Sequence, residues 1–190
     1  DLHKIRNYIK DYNNLINFNE NKLNIKYSKK EFFIDGSSEI HIDENSKSLI
    51  KYQIKKNKNK TNFQTFLNLD KLDLAFDNII YKKQKNVKAT LEINGFESKN
   101  KIYFKNINYN ENNNRIQINN LEINKNKILD IGQVKFNYLT NNNYKNEIIL
   151  VKKDDYYELK GLSFDSTKLI KNISNSENDN NLFEILDNFN

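Results

Sequence analysis

Two histidines and a scatter of acids are the side chains from which this sequence could assemble a reactive site. His3 falls in an amphipathic stretch and His41 in an alternating one, and neither has the H-x-x-x-H or H-E-x-x-H spacing that puts two imidazoles on one metal. Both read as surface or half-buried imidazoles. The absence of cysteine removes thiolate nucleophiles, zinc–sulfur sites and disulfides together. Asp70, Asp73 and Asp77 would align on a helix, but around Leu72, Leu74 and Phe76 they flank strand-like leucines as readily. No acidic calcium loop and no G-x-S-x-G elbow is present. The four glycines (Gly36, Gly95, Gly132 and Gly161) stand singly, outside any phosphate-cradling loop, with Gly36 and Gly95 expected at strand ends. The sequence therefore points to a scaffold, not an enzyme, with no catalytic residue, metal or cofactor to assign.

Charge narrows the partners. Lysine and arginine total 31 against 25 acids, a net charge of +6. Only Arg6 and Arg115 carry the planar fork that leads phosphate and base recognition, and the lysines are interleaved with acids along the chain. This pattern argues against a nucleic-acid partner. The enriched residues (Lys, Asn, Ile, Tyr and Phe) share A/T-rich codons, which accounts for the basic balance without a ligand. The chain opens at Asp1 and contains no Met, as expected of an excised or mature segment, in which an upstream signal or anchor would not be visible. Apolar runs stop at about four residues (148–151), far below the roughly 20 of a membrane-spanning helix.

The elements that must position any site fall into three stretches. Residues 1–18 place Leu2, Ile5, Ile9 and Tyr12 near helical spacing, predicting an amphipathic helix. Over 19–165 the period becomes two. Leu23, Ile25 and Tyr27 alternate, as do Ile40 and Ile42, then Ile50, Tyr52 and Ile54, then Phe63, Thr65 and Leu67. The same holds for VKATLEI, KIYFK, RIQIN, LEI, ILDI, QVKFNY, EIILV and YYELKG. Between them stand FESKN, YNENNN, NKNK, LTNNNY and KKDD, whose Asn and Asp tolerate the positive φ of tight turns. Residues 166–190 predict short helices joined by a polar linker, the last with Leu182, Ile185, Leu186 and Phe189 on one face.

Successive strands with short polar turns and no intervening helix imply an all-β antiparallel meander. More than about ten strands rarely lie in one flat sheet. By alternation alone, the apolar face closes into a barrel, packs on a second sheet, or stays a curved surface.

The closing segment YELKGLSFDSTKLI carries more information. Asp165 is placed to cap a helix by accepting from the amides of Thr167 or Lys168, with Leu169 and Ile170 on that helix's face. Gly161 eases a bulge or close backbone approach just before it. This G-x-x-x-D step from a strand into a leucine/isoleucine helix resembles the AsmA-like superfamily, in its YhdP-type branch of envelope proteins. LEINGF followed by KIYFKNI, and ILDIGQVKFNY before Y-E-L-K-G, are similar to that branch too, so the likeness covers about residues 50–173. The richness in Asn and Lys and the lack of proline depart from its pattern.

The resemblance implies a long antiparallel meander curled into an open apolar groove, in a protein anchored in the inner membrane and crossing the periplasm. It implies phospholipid acyl chains as cargo moving between the two membranes, with outer-membrane proteins as further partners. On that reading the groove is lined by Val87, Ala89, Leu91 and Ile93, by Ile102 and Phe104, and by Ile116 and Ile118. The next strands add Leu129, Ile131, Val134 and Phe136, then Ile148 and Leu150, then Tyr157 and Leu159. The alternative expectation is a structural or adhesive β-sandwich or barrel at the cell surface, binding protein or glycan through loops 109–115 and 139–146.

Overall fold

The computed structural model describes residues 9, 16–43, 46–125, 127–140, 142–168 and 171. The chain is all-β, and its main body is one ten-stranded antiparallel sheet in which spatial order follows chain order. The strands are β1 (Asn17–Tyr27), β2 (Glu31–Asp43), β3 (Ser46–Asn57), β4 (Lys60–Asn68), β7 (Ala89–Ser98), β8 (Lys101–Glu111), β9 (Asn114–Asn124), β10 (Lys127–Leu139), β11 (Lys145–Lys152) and β12 (Tyr157–Ser163). Between β4 and β7 the chain makes one excursion, a two-stranded ribbon of β5 (Leu74–Phe76) and β6 (Tyr81–Lys83) around a 3-10 turn at Asp77–Ile79. The sheet does not close into a barrel.

The asparagine- and lysine-rich clusters are the turns. Lys99 and Asn100 both adopt positive φ (51° and 62°), the conformation that matches a two-residue hairpin to strand twist. Asn112, Lys125 and Asn143 supply the same region at later turns. The longer β10–β11 connection is held by the Thr140 amide donating to Tyr144 O (2.9 Å) and the Tyr144 amide to Thr140 Oγ1 (3.2 Å).

Of five register irregularities among the described residues of the main sheet, two lie between its central strands. Lys105 is an extra residue in β8 relative to β7, and Leu129 is an extra residue in β10 relative to β9. Lys105, Asn120 and Gly132 fall at one transverse position of β8, β9 and β10, with Asn120 at φ 55°. Alternation is interrupted there in all three strands, forming a crease across them.

Several expectations need correction. Of the helix expected over 1–18, Asn17 and Phe18 instead open β1 and Ile9 forms a bridge to Leu74; the other residues before Ile16 lie outside the described ones. Leu169, Ile170 and residues 172–190 lie outside them as well. Gly95 lies inside β7, paired with Phe63 and Phe104, not at its end, and Gly36 is not at a strand end either. It lies inside β2 opposite Tyr52, whose ring comes within 2.6 Å of where a Cβ would stand. Asp70, Asp73 and Asp77 belong to the excursion, not to a helix face.

Candidate functional site: the apolar face of the sheet

Residues paired across an antiparallel ladder share a face, so the register extends strand alternation into rows across the sheet. One row runs through all ten strands: Leu23, Gly36, Tyr52, Thr65, Ile93, Ile107, Ile118, Val134, Leu150 and Leu159. Beside it, Ile25, Ile34, Ile54 and Phe63 lead through Gly95 to Phe104, Leu121 and Ile131. On the other side, Ile50, Leu67, Leu91, Tyr109, Ile116, Phe136 and Ile148 make a third row. The opposite face is mostly polar, with an amide row in which Asn94 donates to Asn106 (2.7 Å) and Asn119 to Gln133 (3.1 Å), although Phe96 stacks on Tyr103 there at 4.7 Å.

The expected lining residues can now be placed. Ala89, Leu91, Ile93, Ile102, Phe104, Ile116, Ile118, Ile131, Val134, Phe136, Ile148, Leu150 and Leu159 share this face. Two expected residues stand elsewhere, while Tyr157 keeps the parity of Leu159 along β12. Val87 lies in the turn before β7, its amide donating to Gln84 O. Leu129 is the extra residue at the β10 irregularity, so Ile128 takes the inward position opposite Ile123. Tyr157 stands opposite Lys152, level with the crease, and its hydroxyl donates to the Asp130 carboxylate (3.4 Å).

The contribution of β1–β4 was missing from the expected lining, although Leu23, Ile25, Ile50, Tyr52, Ile54 and Phe63 carry the same alternation. Ile107 was missed because the extra Lys105 shifts the period after Phe104.

One end of the face is covered. The excursion lays Leu69, Leu72, Leu74 and Tyr81 over Ile40, Ala89, Tyr109 and Tyr138, and these eight form one buried cluster. Ile9 and Ile16 pack against it. A polar network fixes this cover. Lys83 is 1% exposed, and its ammonium donates to the carbonyls of Asp70 (3.1 Å), Leu72 (2.8 Å) and Gln84 (3.0 Å). Burial lowers its pKa, opposed by Asp70 and Asp73. The hydroxyls of Tyr81 and Tyr109 hydrogen-bond at 2.9 Å, and Tyr138 donates to Ile79 O at 2.6 Å. Burial, with a smaller contribution from Asp165, pushes the Tyr138 phenol up to about 12. Glu111 is buried beside Tyr109, and desolvation raises its pKa against a lowering hydrogen bond from Asn114.

Away from the cover the face changes character. Leu121, Ile131 and Val134 are buried, and the described residues packed on them belong to the same sheet: Phe104, Ile107, Ile118, Ile123, Ile128, Phe136 and Leu150. Toward the edges exposure climbs to 39% at Ile102, 55% at Leu23 and 62% at Leu159. Phe63 and Phe104 meet edge to face with centroids 5.8 Å apart. On the polar face, a bay of about 980 Å³ opens at the crease, where Lys152 Nζ lies 2.6 Å from Asp130.

At the closing segment, the Asp165 carboxylate accepts from the Thr167 amide (3.1 Å), and its pKa is lowered by the Thr167 hydroxyl first and by this amide second. The Asp165 amide in turn donates to the buried Asn146 (2.6 Å). His41 faces Glu39 at 2.7 Å, with Lys47 3.1 Å from the same oxygen. Among the described residues, no three His, Cys, Asp or Glu side chains converge to hold a metal, and no helix is long and apolar enough to cross a membrane.

The fold defines a class, the open single-sheet β-meander with one apolar face. Comparison with protein-family models, curated proteins and solved structures gives no match.

Proposed function

We propose that this chain is a segment of a lipid-carrying β-groove protein whose apolar face shields phospholipid acyl chains from water. The supporting observation is a largely apolar row through all ten strands, flanked on the same face by two shorter ones and covered among the described residues by the excursion, Ile9 and Ile16 at one end. A sheet with one apolar face ordinarily buries it against a second layer. An uncovered apolar surface of this extent is an aggregation hazard unless something occupies it. An acyl chain suits it, since each methylene removed from water contributes about 0.8 kcal/mol while the headgroup stays solvated at the opening. Such carriage needs no nucleophile, metal or cofactor. Location in the periplasm, an inner-membrane anchor outside this segment, and outer-membrane partners belong to the same proposal and rest on the resemblance of the closing segment.

Native mass spectrometry of the purified protein tests the reading. Bound phospholipid is expected, and Phe104→Asp and Ile102→Asp should strip it while circular dichroism shows the strands intact. Ile102 is partly solvent-exposed, so its substitution leaves the fold least disturbed. Lipid-free wild-type protein, or loss of lipid only in variants that unfold, would favour an adhesive or structural β-domain instead.

A further inference from the structure

We propose that this chain associates head to tail with a second copy of itself, the outer edge of β1 pairing antiparallel with the outer edge of β12, Leu159 opposite Ile25. Among the described residues neither outer edge is paired. β1 presents eleven residues, all exposed, and beyond the irregularity at Asn19–Lys22 its regular stretch offers outward-pointing backbone groups for pairing. Soluble proteins usually blunt such an edge with edge lysines, a bulge, an inward-pointing charge or a proline, and β1 carries Lys22, Lys26 and an irregularity at Asn19–Lys22 but neither of the last two. Here the apolar face continues into both edges through Leu23, Ile25 and Leu159.

Parity supplies the geometry. Ten strands, each antiparallel to the next, leave β1 and β12 running in opposite directions. A second copy displaced along the sheet without being turned over therefore meets β1 with an antiparallel β12, and the apolar faces remain on the same side. An odd number of strands would have made that contact parallel.

Charge selects the register. With Leu159 opposite Ile25, Gly161 faces Leu23, Lys160 faces Asn24 and Glu158 faces Lys26, which sets an acid against a base. A shift of two residues either way puts Lys160 against Lys22 or against Lys26, a like-charge pair directly across the ladder. A shift of one would turn one partner's apolar face to the other side. The regular stretches also match in length. β1 is irregular between Asn19 and Lys22, and β12 is irregular after Gly161, leaving 157–161 to pair with 23–27. The association requires no lipid and does not depend on what occupies the face.

The cysteine-free sequence makes the test clean. Ile25→Cys and Leu159→Cys proteins are mixed under mild oxidation, since facing residues in an antiparallel pair lie about 4.5–5.5 Å apart at Cα, within disulfide reach. The mixed disulfide is expected to form several-fold more than with Leu23→Cys in place of Ile25→Cys. Adding Lys26→Glu should reduce it, and Glu158→Lys on the other partner should restore it. Equal yields from the two β1 positions, a dominant Ile25→Cys homodimer, or no crosslink between folded proteins would overturn the proposal.

Discussion

The hydroxyls of Tyr81 and Tyr109 lie 2.9 Å apart and join the excursion to the sheet it covers. Their rings meet edge to face with centroids 5.9 Å apart, and Tyr81 meets Tyr138 in the same way at 5.3 Å. Tyr109→Phe strands the buried Tyr81 hydroxyl and should cost about 1–2 kcal/mol in urea unfolding, whereas Tyr81→Phe leaves the Tyr109 hydroxyl its 3.4 Å contact with Glu111 and should cost less. The double variant should cost less than the sum of the two, because it removes both hydroxyls together. Additive losses would mean the pair is not coupled.

Lys83→Met should weaken the protein more. Methionine fills similar volume but leaves the carbonyls of Asp70, Leu72 and Gln84 without their shared donor. A loss of about 2 kcal/mol is expected, chiefly from the buried Leu72 carbonyl, since the Asn86 amide still donates to Asp70 O (2.7 Å) and the Val87 amide to Gln84 O (3.4 Å). Hydrogen exchange should show the loosening first at Leu74–Phe76 and Tyr81–Lys83.

Glu111 gives a pH signature. Burial raises its folded pKa above the unfolded value of 4.5, so between the two the folded state holds more protons. Stability associated with Glu111 therefore falls as pH rises through that window, and neutral pH carries the full cost of burying the carboxylate. Glu111→Gln retains an acceptor for Asn114 and should raise Tm at pH 7. The advantage should shrink on acidification and vanish below about pH 4, where the carboxyl is neutral in both states. A Tm difference independent of pH would assign the effect to packing.

Gly161→Ala tests the close approach at the sheet's last strand. The added Cβ would stand 2.6 Å from Glu147 O and 3.3 Å from Ile148 Cα, both backbone atoms. A loss of about 1 kcal/mol is expected, since an edge strand can move away. The effect should be local, with amide protection falling along Tyr157–Ser163 while β7–β9 are unchanged.

Much of this architecture follows from period-two patterning. Val134, Phe136 and Tyr138 alternate in the sequence and share a face in the sheet, and the Asn/Lys clusters become turns because those residues accept positive φ. The errors at Leu129 and Ile107 occur where one added residue breaks the period. The ILDI stretch suggested Leu129 and Ile131, whereas the extra residue gives Ile128 and Ile131 the inward positions. The cover was illegible for a different reason. DLDLAF suits helix and strand alike, and the contacts that fix it join residues far apart, 28 positions between Tyr81 and Tyr109 and 59 between Ile79 and Tyr138. Local patterns carry no information about such pairs. At the closing segment the cap on Thr167 was readable because donor and acceptor are two residues apart.

The strictly sequential order of the meander bears on how the chain acquires its structure. Apart from β4 with β7, each pairing in the main sheet joins strands separated by a short turn, so little loop-closure entropy opposes it. Folding should be fast for so large a sheet, because rate falls as contacting residues grow more distant in sequence. During synthesis each hairpin can add to the one before it without waiting for the C-terminal strand. The β4–β7 pairing, which must bridge residues 69–88, is then the natural slow step, and shortening that excursion should accelerate it.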